Sequence, residues 1–288
     1  MAKSTKKTGD GNEKIEIAQI GMGRMKFHLL GTSPMIMHRF AAKAWQELLL
    51  PSAKKNAAAK AESLKHDPLQ EFRECIYRNR DPERPTAVHF PSGAFSKAIA
   101  AAALDLPGAS KAQILRLVSV TSVQVDIYGV PTLGMDMVRS SDMARTPDVR
   151  TRAYFAEWAC AIDVEFVASL IGEAQITNLL AAAGIITGLG DYRPQKGGNF
   201  GKFKVVMRDD PEFLRVLKQD RRAQEAAMAD PSFYNEEAAE LYGWFNDEVK
   251  RREKTLQSSL DDGKPAKQPK TPAESDTKRG KNGQASHA

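Results

Sequence analysis

The sequence predicts an α+β fold with a β-α-β-β-α-β core, and three observations carry that expectation. Residues 158–166 alternate apolar and polar, with Trp158, Cys160, Ile162, Val164 and Phe166 set against Ala159, Ala161, Asp163 and Glu165. Period two over nine residues is the signature of a strand with one buried face. Residues 25–30 repeat the pattern through Met25, Phe27 and Leu29. Helical stretches then fall between and after the strands, at about 92–104 and 173–183, which gives the order of the split βαβ unit found in ferredoxin-like and RNA-recognition folds.

The elements follow in sequence. The strand Met25–Leu30 continues through Gly31–His38 by way of a bend at Pro34. Residues 41–63, rich in Ala, Lys and Leu, begin a helical insertion that occupies 41–80. Asp67 and Pro68 open its second helix, through Arg78, with Asp67 as N-cap and Pro68 in the first turn. Residues 79–85 form a loop, and Phe90–Lys97 enters a helix that ends before Pro107-Gly108, with Ser92 as its cap. Val118, Val120, Val123, Val125 and Ile127 place one strand across 114–128, or one with a bulge that shifts its face. Residues 129–153, rich in Met, Arg and Gly, make a long loop or arm. The helix 173–183 turns Ile176, Leu179, Leu180 and Ala183 inward and closes at Gly184. A final strand covers about 201–207.

The core therefore spans 15–210. A disordered arm, 1–14, precedes it. A polar helical region, 211–255, and a disordered tail, 256–288, nearly devoid of apolar residues, follow it. The 288 residues are 42% hydrophobic, enough for a sizeable core. A net charge of +6 favours a polyanionic partner, yet 36 acidic residues require any positive surface to be local. Cys75 and Cys160 form no CxxC pair and have no flanking histidine, so free thiols in a reducing compartment are expected. No apolar run approaches the ~18 residues of a membrane span. The start lacks the apolar segment of a secretory signal. A soluble cytoplasmic protein without a membrane partner is expected.

One stretch concentrates chemistry. Gly188–Val205 holds Gly188, Gly190, Gly197, Gly198 and Gly201 among Arg193, Lys196, Lys202 and Lys204, with Tyr192, Phe200 and Phe203 interleaved. Glycine permits close backbone approach, cations neutralise phosphate and aromatic rings stack bases. A Walker loop fails on spacing, because Lys196 stands where its first glycine belongs and Phe203 where its hydroxyl belongs. A dinucleotide fingerprint fails at Arg193, so no nucleotide cofactor is expected. A glycine-rich turn feeding an edge strand explains the same residues without a ligand. Two further segments are candidates: the helix entry with Ser92 and Lys97, and the arm with Arg139, Arg145, Arg150 and Arg152. His28, His38, His66 and His89 show no metal spacing, and no catalytic triad or carboxylate pair stands out. His28 and His38 flank the first strand, where a general base could sit.

Pro91-Ser-Gly-Ala-Phe-Ser-Lys-Ala98 resembles the Pro-Gly-Ser-rich helix entry of the RAMP superfamily, the RNA-binding proteins that form the backbone of CRISPR effector complexes. Gly188–Gly190 through Gly197–Gly201 resembles the glycine-rich loop of the same domain. The layout over 25–207 is also similar to uncharacterised phage and prophage proteins. The resemblance implies that Ser92, Lys97, Lys196, Gly197, Gly198 and Lys202 lie beside phosphates, with Arg145, Arg150 and Arg152 on an arm that wedges between nucleotides. The Ser-Gly order at the helix entry reverses the usual Gly-Ser, and the block 41–80 has no counterpart in the pattern. The expected function is non-catalytic binding of single-stranded RNA or DNA, with Arg193 added to those contacts. Self-assembly side by side along the strand, or with other subunits of a ribonucleoprotein complex, is the expected partnership. The alternatives are an RNA-processing endoribonuclease on the same fold, and a protein-only structural or inhibitory mimic of a backbone subunit.

Overall fold

The computed structural model describes residues 19–40, 49, 66–139, 145 and 147–261, with side chains through Arg252. The first strand, β1 (Met22–Gly31), is central. It is followed by β2 (Met35–Met37), α1 (Pro68–Glu74), β3 (His89–Pro91), α2 (Ser92–Ala102) and α3 (Lys111–Leu117). Next come β4 (Val118–Val120), β5 (Gln124–Tyr128), β6 (Pro131–Arg139), β7 (Pro147–Phe155), β8 (Ala159–Val167) and α4 (Glu173–Ala182). The last elements are β9 (Phe203–Val206), α5 (Pro211–Val216), α6 (Arg221–Ala229) and α7 (Glu236–Asp261). A first compact unit reaches Tyr242, and a second begins at Gly243 with the rest of α7. In that second unit Glu248 accepts hydrogen bonds from Arg251 and Arg252 at 2.7 and 2.8 Å.

The protein is α+β, and its main sheet runs β9-β1-β8-β5-β3, with β4 also on β8. Pairing is antiparallel throughout, with Phe27 beside Ile162, Leu29 beside Cys160 and Leu29 also beside Val205. Taken without its insertions, this is the strand order of the split βαβ unit, with α2 and α4 as its two helices. Period-two alternation sends Phe27, Leu29, Cys160, Ile162, Val164 and Phe166 to the helical side, where they are buried with Phe95, Ile99, Ile176 and Leu180.

Four expectations are corrected. In place of the loop expected over 129–153, the described residues form two strands, β6 and β7, paired antiparallel without a bulge from Pro131–Phe155 to Arg139–Pro147. With β2 on the far edge they make a second, three-stranded sheet. Their alternation was hidden because Asp136, Arg152 and Tyr154 satisfy one another on one face. Residues 114–117, expected in the strand, instead close helix α3, which a reciprocal capping box of Ser110 and Gln113 starts. Ser92 does not cap α2. Pro91 occupies that position, and no side chain caps the helix. Gly184 does not close α4, because the helix widens into a π-turn over Ala183–Thr187. A Cβ on Gly184 would strike the Phe203 carbonyl, which explains the residue there.

Asp67 caps α1 as its sequence requires, accepting from the Gln70 amide at 3.1 Å. The expected helix over 41–63 lies outside the described residues apart from Leu49, as do the arm 1–14 and most of the tail. The polar helical region is no appendage through α6. Gln224 is fully buried, donates to the carbonyls of Ile127 (2.7 Å) and Gly129 (3.0 Å) and accepts from the amides of Ala87 and Val88. Cys75 and Cys160 are buried thiols, not a disulfide. Burial pushes the Cys75 thiol up to about 12. Among the described residues, no helix is long and apolar enough to cross a membrane.

Candidate nucleic-acid interface

A groove of about 890 Å³ opens on the helical side of the core. One wall is α2, through Gly93, Ala94, Lys97, Ala98 and Ala101, with Lys111 beyond its far end. The other wall is the chain from Thr187 to Lys196, and His38, Phe40, Tyr77, Phe90 and Arg150 complete the lining. Sequence-distant segments meet here because β1 lies between β8 and β9. The helix entry and the glycine-rich chain both belong to crossovers on one side of that sheet.

Its charge is lopsided. Lys97, Lys111, Arg150, Arg193 and Lys196 line the groove, against one carboxylate among the described lining residues, Asp191. Asp191 is already neutralised. Arg152 lies 3.3 Å and His38 3.7 Å from its Oδ2. His38 first, then the Arg152 guanidinium and the Tyr192 amide, hold this carboxyl down at about 2 despite the cost of burial. The α2 entry adds no negative charge either, since its first turn has no acidic residue. A Cβ on Gly93 would meet nothing within 4 Å, so the glycine leaves the groove wall bare rather than serving internal packing.

The structure brings together only part of the expected set. Lys97, Arg150, Arg193 and Lys196 line the groove; Ser92, Arg145, Arg152, Gly197, Gly198 and Lys202 do not. Arg152 is 3% exposed, bridges Asp136 and Asp191, and lies 5.0 Å over the Tyr192 ring. It is an internal tie, and its removal from the candidate set is a correction. Tyr154 donates to Asp136 at 2.6 Å in the same cluster, and burial together with that carboxylate raises its phenol pKa. Arg145 lies between β6 and β7 with φ of 46°. The Ser92 amide donates to the Val123 carbonyl. Lys202 is bound through its backbone to Ser33 and through Nζ to Asn199.

The glycines are mostly fold glycines. Gly201 has φ of 71°, and a Cβ there would strike the Leu189 carbonyl. Gly198 is closed in the same way by the Tyr192 carbonyl. The turn reading accounts for both without a ligand. Of the run's aromatic residues Tyr192 is 43% exposed, whereas the other two pack against the protein. Phe203 is 2% exposed against Trp158, and Phe200 meets the edge of Tyr154 at 5.8 Å. Sequence reasoning missed Lys111, Phe40, Tyr77 and Phe90. Only Phe90, two residues before Ser92, carried a signal, its place in the helix-entry segment.

The histidines divide. His38 lines the groove, whereas His28 is on the opposite side of the sheet, edge-on to Phe213 at 5.2 Å. Burial, then Lys26 and Arg208, lower the His28 pKa. Among the described residues no cluster of His, Cys, Asp and Glu could hold a metal ion.

No protein-family model and no curated protein matches the chain. Among solved structures it is similar to Cmr6 from Pyrococcus furiosus, with 6% identity and a TM-score of 0.32 over 65% of this chain and 98% of that one. The likeness is coarse, and no residue role is carried over from it.

Proposed function

We propose that this chain binds single-stranded nucleic acid without catalysis, through the groove between α2 and the Thr187–Lys196 chain. The observation that carries the reading is the charge: among the described residues, five cations line one groove whose one acid is already paired. A concave cationic surface of that kind tracks a phosphate backbone and tolerates any sequence. The RAMP resemblance of residues 91–98 and 188–201 supports the same reading. Cooperative, side-by-side assembly along the strand accompanies it, as is usual for sequence-tolerant binders. If each of the five cations neutralises one phosphate, the slope of log K against log salt is about −3.5, at about −0.7 per contact. Fluorescence anisotropy of a labelled single strand across a salt series measures it, and a slope near zero contradicts the reading.

A second reading rests on His38. This imidazole faces the groove beside Asp191, the arrangement of a general base with an orienting carboxylate, as an RNA-processing endoribonuclease requires. Specific cleavage of labelled RNA, lost in His38→Ala and kept in His28→Ala, would favour it over binding alone.

A further inference from the structure

The aromatic residues of the groove ask for a ligand that cations alone do not define. Phe40 is 70% exposed and directly follows an anchored stretch of backbone. β2 pairs Met37 with Ala153, and the Arg39 amide donates to the Cys75 carbonyl at 2.9 Å. Two residues beyond Cys75 stands Tyr77. Its ring is fixed edge-on to Phe90 at 5.7 Å and tilted against His89 at 5.8 Å. Phe90 in turn meets the edge of Phe95, a core residue of α2. A rigid ring and an exposed ring beside anchored backbone therefore line the same cationic groove. An apolar ring held in water loses the gain of burial, about 25 cal/mol per Å². A planar base laid on it recovers that gain while its phosphates reach the cations.

We propose that Phe40 and Tyr77 form a base-stacking subsite, so that the groove takes a single strand with unpaired bases rather than a polyanion of any backbone. The inference rests on the binding function proposed above and narrows its ligand. Stacking on aromatic faces is sequence-tolerant, because every base offers a π-face. The subsite therefore separates base-bearing from base-free strands without separating one sequence from another.

The test compares two single-stranded oligonucleotides of equal length and charge, one of thymidines and one fully abasic, on the whole chain. Wild type is expected to bind the thymidine strand at least about fivefold tighter, the lower end of what one stacked base contributes. Phe40→Ala is expected to lose most of that preference while keeping the salt slope, whereas Lys97→Ala lowers the slope and keeps the preference. Because Phe40 is exposed, its substitution leaves the core intact. Phe40→Trp adds a direct signal, emission quenched by the thymidine strand and not by the abasic one. Equal binding of the two strands by wild type, or a preference that survives in Phe40→Ala, overturns the subsite and leaves groove binding standing. Failure of both strands to bind overturns the groove reading and the subsite together.

Discussion

The two faces of the main sheet carry opposite designs. On the helical side, the described residues of the groove include five cations, one neutralised carboxylate and exposed aromatic surface. On the other side, β1 presents Arg24, Lys26 and His28, while β8 answers with Asp163 and Glu165. Arg24 sits 4.0 Å from Glu165, and Lys26 is registered beside Asp163. The short helix α5 then lays Phe213 and Val216 over Leu30 and Ala159. In RNA-recognition domains it is the open sheet face that reads the strand, with aromatic residues stacking bases. Here that face has its charges balanced and part of its area covered. The same strand order has been turned to leave its polyanion-attracting surface at the helix entry, so topology alone does not say where a ligand goes.

The largest expected effect that tests this contrast comes from emptying the groove. Lys97→Ala, Arg193→Ala and Lys196→Ala together should cut the salt slope by about 2 and weaken binding roughly 50-fold at 0.15 M salt. Anisotropy titration reads both, and unchanged affinity would move the site elsewhere. A smaller effect, and on a different quantity, separates the two arginines of β7. Arg150 lines the groove, whereas Arg152 two residues on is consumed by Asp136 and Asp191. Breaking a fully buried pair costs about 3–5 kcal/mol. Both carboxylates here are slightly more than a third exposed (38% and 34%). Solvent screening then brings Arg152→Ala to about 2 kcal/mol. That is a fall in Tm of roughly 4–8 °C for a chain of this size. Thermal denaturation checks it, and Arg150→Ala should leave Tm in place.

How much of this was legible in the sequence depended on whether a signal was local. β1 and β8 were legible because one face of each is buried and the other wet. The α1 start was legible because Asp67-Pro68 is a complete local instruction. The strand pair β6 and β7 was not, since its polar residues are satisfied across strands by Asp136, Arg152 and Tyr154, a pairing no window of sequence displays. The site was half legible for the same reason. Lys97 and the cations of the glycine-rich run could be proposed from composition, because charge beside a helix entry or a tight turn is visible in one segment. Arg152 could not be told from Arg150 without knowing which neighbour each one meets. Phe40, Tyr77 and Lys111 reach the groove only through tertiary packing. The glycines misled in the other direction: Gly198 and Gly201 are demanded by neighbouring carbonyls, so their abundance described a turn and not a cradle.

The central claim is that the strand lies on the helical side of the sheet. Ultraviolet cross-linking of a thymidine or uridine oligonucleotide to the whole chain, followed by mass spectrometry of the peptides, tests it most directly. Cross-links are predicted at Phe40 or Tyr77 and within the segments 90–98 and 187–196. Cross-links confined to 22–30, 159–167 or 211–217 would put the strand on the opposite face and contradict the account.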